Sequence, residues 1–302
     1  MQNGTSPISP SLGDVLNFFA TQFEAGKGYQ SLNCYRSALS SVLAPIEGFA
    51  VGRHPLVCGI LKGVFQLRPP QDKYTSFWSV SKVLNHLASW GENQALSLKQ
   101  LTWKLAMLLA LCSASRSSDL SEFSVCHRFY LQDRVVFCPA GLAKQSRIGR
   151  LPKPIEFKEF PDHLLCPVKC LQRYESVTST FRKKPGHNQL FLGINSPHSP
   201  VVSSTIARWL KNVLSSLGID TSVFTAHSTR GASTSAASMA GITTQQILIT
   251  ADWSTASTFR HFYLRDKEVQ SPRQGFDVPS LLASNSRCDM EPEPSEVQSG
   301  NG

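Results

Sequence analysis

Apolar residues recur at three- and four-residue spacing from Leu12 through Val15, Leu16, Phe19 and Phe23, which predicts an amphipathic helix. Gly26 and Gly28 break the pattern. Ser31 is then placed to cap a second helix with Leu32, Tyr35, Leu39, Val42 and Leu43 on one face. A third stripe follows Pro55, carrying Leu56, Ile60, Leu61 and Val64. These segments predict a small helical domain over 11–67, preceded by a polar, flexible 1–10. The run RPPQDKY, 68–74, reads as a linker, because its two prolines cannot extend a helix.

A larger domain is expected over 75–270. Helical patterns around Val80–Ser89 and Leu98–Ala114 lead directly to Arg116. The short β-like runs Arg134–Pro139 and Leu151–Phe157 flank the polar turn GLAKQSRIGR and predict an antiparallel hairpin. Helical spacing returns after Pro167 with Val168, Leu171, Tyr174 and Val177, and RKKPGHNQ, 182–189, reads as a loop. The clearest helix is Ser203–Leu217, with Ile206, Trp209, Leu210, Val213, Leu214 and Leu217 on one side and Gly218 ending it. Residues 271–302, rich in Ser, Pro and Glu, are expected to be a disordered acidic tail, with FDVPSLL, 276–282, as a short docking segment at most. The fold class that follows is mainly α with a small antiparallel β-hairpin (α+β), with no internal repeat.

Charge changes the picture. The chain carries a formal +9, but five acidic residues and only two arginines lie in 271–302, leaving 28 basic against 16 acidic side chains before it. An excess of that size favours a polyanionic partner through counterion release. Eight cysteines are scattered, most inside apolar runs, and no secretory apolar segment opens the chain, so buried thiols in a reducing compartment are expected. No stretch approaches the roughly 18 apolar residues of a membrane span. The sequence therefore reads as a soluble intracellular protein with no membrane partner. His163, Cys166 and Cys170, with His187 as a fourth, are conceivable zinc ligands, but their spacing is not a paired CxxC and Cys170 opens an apolar helix face.

The candidate chemistry lies in Thr225–Asp266 together with LCSASRSSDL upstream. His227 and Arg230 are three residues apart, Trp253 follows, and Tyr263 stands ten residues beyond it; Arg116 sits among small residues directly after the apolar run LAMLLALC. Breaking a phosphodiester requires an in-line nucleophile, stabilisation of charge on the non-bridging oxygens, and a proton for the leaving oxygen. Arginine meets the second need with a planar, permanently charged fork. Tyrosine meets the first as a covalent nucleophile. Lysine or histidine moves protons, and an indole N–H donates only. Each piece alone is weak. HxxR is common, Trp253 could be packing, and HFYLRD could be an aromatic core stripe, although Tyr174 is the better core tyrosine.

In that order and context, SRSSDL, HSTR, W and FY resemble the tyrosine recombinase (phage integrase) family over roughly 10–268. The resemblance implies a catalytic domain preceded by a helical core-binding domain, and it implies roles for six residues. Arg116 and Arg230 would clamp the phosphate, with Asp119 orienting Arg116. Trp253 would add a hydrogen bond, His227 would manage the tyrosine proton, and Tyr263 would attack. Lys144 is the best match for the hairpin lysine that protonates the leaving oxygen, with Arg147 and Lys153 as alternatives. Bacterial and phage members usually place the tyrosine nine residues after the His/Trp position, where this chain has Phe262. The ten-residue offset and FYLRD look more like recombinases of eukaryotic DIRS-type or Crypton-type mobile elements, which implies a nuclear location. The resemblance further implies duplex DNA as partner, a homotetramer on two DNA sites, and no cofactor or metal. A host-adopted DNA-binding protein without strand transfer, and a type IB topoisomerase acting as a monomer, are the competing readings.

Overall fold

The computed structural model describes residues 9–70, 77–141, 146, 148–149, 151–182, 188–256 and 259. The chain divides into two compact units, one running to Thr75 and the other starting at Ser76.

In the first unit three helices surround a small core of Val15, Phe19, Leu32, Val51, Val57, Leu61 and Val64. Helix α1 (Leu12–Glu24) opens with a capping box, in which the Ser11 hydroxyl accepts from the Asp14 N–H and the Asp14 carboxylate accepts from the Ser11 N–H. Helix α2 (Tyr29–Val42) begins two residues earlier than the Ser31 cap expected from sequence. Gly28 supplies the extended N-cap backbone, and the Tyr29 ring packs edge-on against Phe65, 5.3 Å between centroids. Ring packing thus decides the start without a side-chain cap. Helix α3 (Pro55–Leu67) has Pro55 in its first turn, and His54 Nδ1 accepts from the Leu56 N–H. The Arg68 guanidinium fastens its far end to α1, donating to the Phe23 and Lys27 carbonyls and lying 4.4 Å from the Phe23 ring.

The second unit is built around α5. Helix α4 (Val80–Ser89) precedes it, with Ser79 as N-cap. Helix α5 (Leu98–Ser113) is buried almost continuously from Leu101 to Leu111, because other elements pack on it all round: the short α6 (Ser117–Ser121), the sheet, α7 (Pro167–Thr178), α8 (Ser203–Ser216) and α9 (Ser228–Met239). Helix α10 (Thr244–Thr250) follows α9. Even Lys104 on α5 is fully buried; its Nζ donates to the Gly91 carbonyl at 3.1 Å, and burial lowers its pKa.

The sheet has three antiparallel strands in the order β1 (Arg128–Tyr130), β2 (Arg134–Phe137) and β3 (Ile155–Lys158). Strand β2 falls within its expected run, and β3 starts inside Leu151–Phe157 and ends one residue beyond it, at Lys158. Strand β1 was not expected. It is a three-residue edge strand whose Phe129 and Tyr130 are exposed, so it lacks the alternation that marks a half-buried strand, and it is fastened to α7 through Arg128 and Glu175. Val135, Phe137 and Phe157 point inward, where Phe123 stacks on Phe137 at 4.5 Å. Tyr174 is fully buried, and its hydroxyl oxygen accepts from the Leu192 N–H at 3.0 Å.

The thiols depart from expectation in part. Cys166 and Cys170 are buried, but Cys34 and Cys126 are exposed, and the described cysteines are all free. Cys34 lies on the outward face of α2, where the helical period places a small side chain without a core role. No three His, Cys, Asp or Glu side chains gather as a metal site among the described residues. Nor is any described helix long and apolar enough to cross a membrane.

Candidate active site

The first arginine is placed by a reversal of the chain. Helix α5 ends with Ala114 in the left-handed region (φ 48°), and Ser113 Oγ donates to the Leu109 carbonyl and accepts from Ser115 Oγ. Arg116 then takes extended backbone as the N-cap of α6. Its N–H donates to Asp119 Oδ2 at 2.9 Å, and its Nη1 lies 3.7 Å from the same oxygen, so one carboxylate fixes both ends of the residue. The Arg116 side chain is 26% exposed, open enough to meet a ligand. Buried Leu120 anchors the short helix, which packs against α8.

The second arginine is placed from within. Thr225–His227 form a turn into α9, and the Ser228 hydroxyl joins this turn to Trp78, two residues before α4, by two hydrogen bonds. It accepts from Trp78 Nε1 at 2.9 Å and donates to the Thr225 carbonyl at 2.7 Å. His227 is exposed at the helix start. Arg230, in the first turn of α9, is 2% exposed. Its Nη2 donates to the Ala251 carbonyl, and its guanidinium carbon lies 4.7 Å from the centre of the Trp253 ring. The small-residue run after Arg230 lets α9 lie close on α5: Gly231, Ala232 and Ser235 are buried, and Ser233 Oγ donates to the Leu111 carbonyl. Since Leu111 is five residues before Arg116 and Ser233 three after Arg230, the same end of α5 supports both arginines.

Trp253 follows α10 through a left-handed residue, Asp252 (φ 49°), with the Trp253 N–H donating to the Leu248 carbonyl at 2.9 Å. The indole is half-buried and stacks on Phe259, with ring centres 5.8 Å apart and planes at 29°. Beside it a groove of about 630 Å³ is lined by Ile148, Leu151 and Lys153 from the turn before β3 and by Leu248 and Ile249 from α10. Lys153 therefore faces the same groove as Trp253. Lys144 and Arg147 lie outside the described residues, and so does Tyr263.

The structure thus brings Arg230 and Trp253 into contact, with His227 exposed at the N-cap of the helix that carries Arg230. Sequence reasoning missed three contributors: Trp78, Ser228 and Phe259. Trp78 and Ser228 are 150 residues apart, and no periodicity predicts such a pair. Phe259 left a trace in the aromatic-rich STFRHFY, but nothing there said which ring would be buried.

The fold, mainly helical with a small three-stranded antiparallel sheet, is that of the tyrosine recombinase catalytic domain. Among solved structures, the chain is similar to the XerH site-specific recombinase bound to palindromic difH substrate in a post-cleavage complex (TM-score 0.59, 10% identity, covering 92% of this chain and 72% of that one). It is also similar to the Tn1549 transposon integrase in complex with transposon right end DNA (TM-score 0.56, 15% identity, 95% and 89%). A third is a lambda integrase dimer bound to a COC' core site (TM-score 0.51, 15% identity, 86% and 81%). No protein-family model and no curated protein matches the chain.

Proposed function

We propose that this protein cuts and rejoins duplex DNA through a covalent 3′-phosphotyrosine. The observation that carries the reading is the support of two candidate phosphate-binding arginines by one end of α5, with Trp253 against the second, in a fold shared with recombinases whose structures include DNA. The basic charge outside 271–302 and the open side chain of Arg116 support the same substrate.

In the proposed reaction the Tyr263 hydroxyl oxygen attacks the scissile phosphorus while the bond to the 5′ oxygen breaks. Arg116 and Arg230 offset the charge on the non-bridging oxygens. His227 takes up the tyrosine proton, and Lys144 gives a proton to the departing 5′ oxygen, leaving a free 5′ hydroxyl. A 5′ hydroxyl from a second duplex then attacks the phosphotyrosine and regenerates Tyr263. The phosphoester bond is conserved throughout, so no nucleotide hydrolysis is required. Lys153 is the alternative proton donor, because it lines the groove beside Trp253. A homotetramer on two DNA sites, a role in the integration or recombination of a mobile element, and residence in the nucleus complete the proposal.

The test uses duplexes nicked so that the short fragment escapes after cleavage, incubated with EDTA. A denaturation-resistant adduct mapped to Tyr263 by peptide mass, and absent from Tyr263→Phe, is expected. Salt-sensitive DNA binding with no adduct on any duplex would point to a binding protein instead. Relaxation of supercoils by a monomer, without paired sites, would point to a topoisomerase.

A further inference from the structure

The Trp253 indole touches two groups: the Arg230 guanidinium, 4.7 Å from its ring centre, and the Phe259 ring, whose centre is 5.8 Å away with its plane tilted by 29°. Both partners are buried, Arg230 at 2% and Phe259 at 1% exposure. Phe259 precedes Tyr263 by four residues in the chain. We infer that Phe259 is a positioning residue, coupling its own site in the chain to Arg230 by holding the ring of Trp253 against the guanidinium. The inference rests on the proposed function for its catalytic consequence, but the coupling itself can be measured without any reaction.

The physical basis is the directionality of each contact. A guanidinium is attracted to the electron-rich face of an indole, and the attraction is stronger when both groups are removed from water. The guanidinium is also fixed in orientation, because its Nη2 donates to the Ala251 carbonyl two residues before the indole. Stacked aromatic rings have a preferred separation and slide only at a cost. Each contact on the indole therefore limits its orientation, and a displacement of Phe259 turns the indole away from Arg230. The coupling runs through the ring of Trp253. That separates the role from hydrogen-bond donation to a phosphate.

Hydrogen exchange on the full-length chain tests the coupling. In Phe259→Ala, exchange is expected to rise in the peptide containing Arg230 as well as in the one containing residue 259, and Phe259→Leu should give a smaller rise in both. A rise confined to the residue 259 peptide in both variants would overturn the inference. Adduct formation then reads the catalytic consequence. Phe259→Ala should slow it by about three- to thirtyfold, the range for a cation–π contact between its exposed and desolvated values, with DNA affinity retained. Phe259→Tyr should recover most of that loss. Trp253→His keeps an N–H but loses most of the face, and should be slower than Trp253→Phe, which keeps a face and loses the N–H. The reverse order would overturn the role of the face. Coupled exchange in a wild-type chain that forms no adduct would sustain the coupling and sink the proposed reaction, so the two failures are distinguishable.

Discussion

Arg116 is 26% exposed and is secured by a carboxylate three residues away, whereas Arg230 is 2% exposed and is secured by a carbonyl 21 residues away and by an indole. The two candidate phosphate ligands therefore depend on different levels of organisation. Arg116 is oriented by a local turn that would survive modest repacking elsewhere. Arg230 is part of the interior, and its orientation depends on α10 and the following turn being in place. Substituting the one should remove function with little effect on the fold; substituting the other should damage both.

The largest expected effect is that of Arg230→Ala. Losing a positioned charge donor costs about a hundred- to thousandfold in rate, and the emptied interior and unpaired Ala251 carbonyl should cost about 2–4 kcal/mol of stability. Parallel adduct assays and urea melts would show both losses; a stable variant would contradict the interior placement of Arg230. Arg116→Ala should lose about a hundredfold or more in rate but no more than about 1 kcal/mol in stability, since its ion pair is partly solvated. If instead it unfolds the second unit, the comparison between the two arginines fails. Trp78→Phe should cost about 1 kcal/mol, the usual net value of a lost hydrogen bond, by freeing Ser228 at the start of α9. It should slow adduct formation through Arg230 while leaving the Arg116 turn protected from exchange. Asp119→Ala should cost about 1 kcal/mol or less, as expected for a helix-terminal bond, with its increase in exchange confined to the region around α6.

A pH titration checks the interior of the second unit through its buried thiols and the Tyr174 hydroxyl. Burial pushes the thiols of Cys112 and Cys170 from about 9 up to about 12, and the Tyr174 hydroxyl from about 10 up to about 12. The unfolded chain loses these protons first, so the stability they represent is full below pH 9 and declines as pH rises toward 12. Cys170→Ala should make that decline shallower. An unchanged alkaline slope would mean that the α7 thiol is not buried as described.

The same contrast explains what the sequence made legible. Arg116 could be found because its signals are adjacent: an apolar helix, a run of small residues and Asp119 at the third position. Helix α8 was equally readable, since Ile206, Trp209, Leu210, Val213 and Leu214 keep one face and all are buried. HSTR was visible as a pattern, but nothing local indicated that Arg230 would be enclosed by Ala251 and Trp253. Strand β1 escaped for a related reason. Its attachment is the Arg128–Glu175 pair, 47 residues apart, and its own side chains have no inward-facing period. The start of α2 was misread because a serine in a capping context is a local cue, and here the packing of Tyr29 on Phe65 overrode it.

The left-handed backbone at Ala114 has a consequence for how the protein can change over generations. An alanine in that region is disfavoured by about 1–2 kcal/mol, and the residue is 2% exposed, so neither local preference nor space favours anything larger there. A branched side chain would redirect the chain before it reached Arg116, and a glycine would relieve the backbone while surrendering the methyl group that packs. Drift in surface charge can accumulate over the second unit without moving Arg116, but position 114 has almost no neutral neighbours in sequence space. Comparing the variation tolerated there with that tolerated at the exposed edge strand would show how strongly a single backbone angle constrains a lineage.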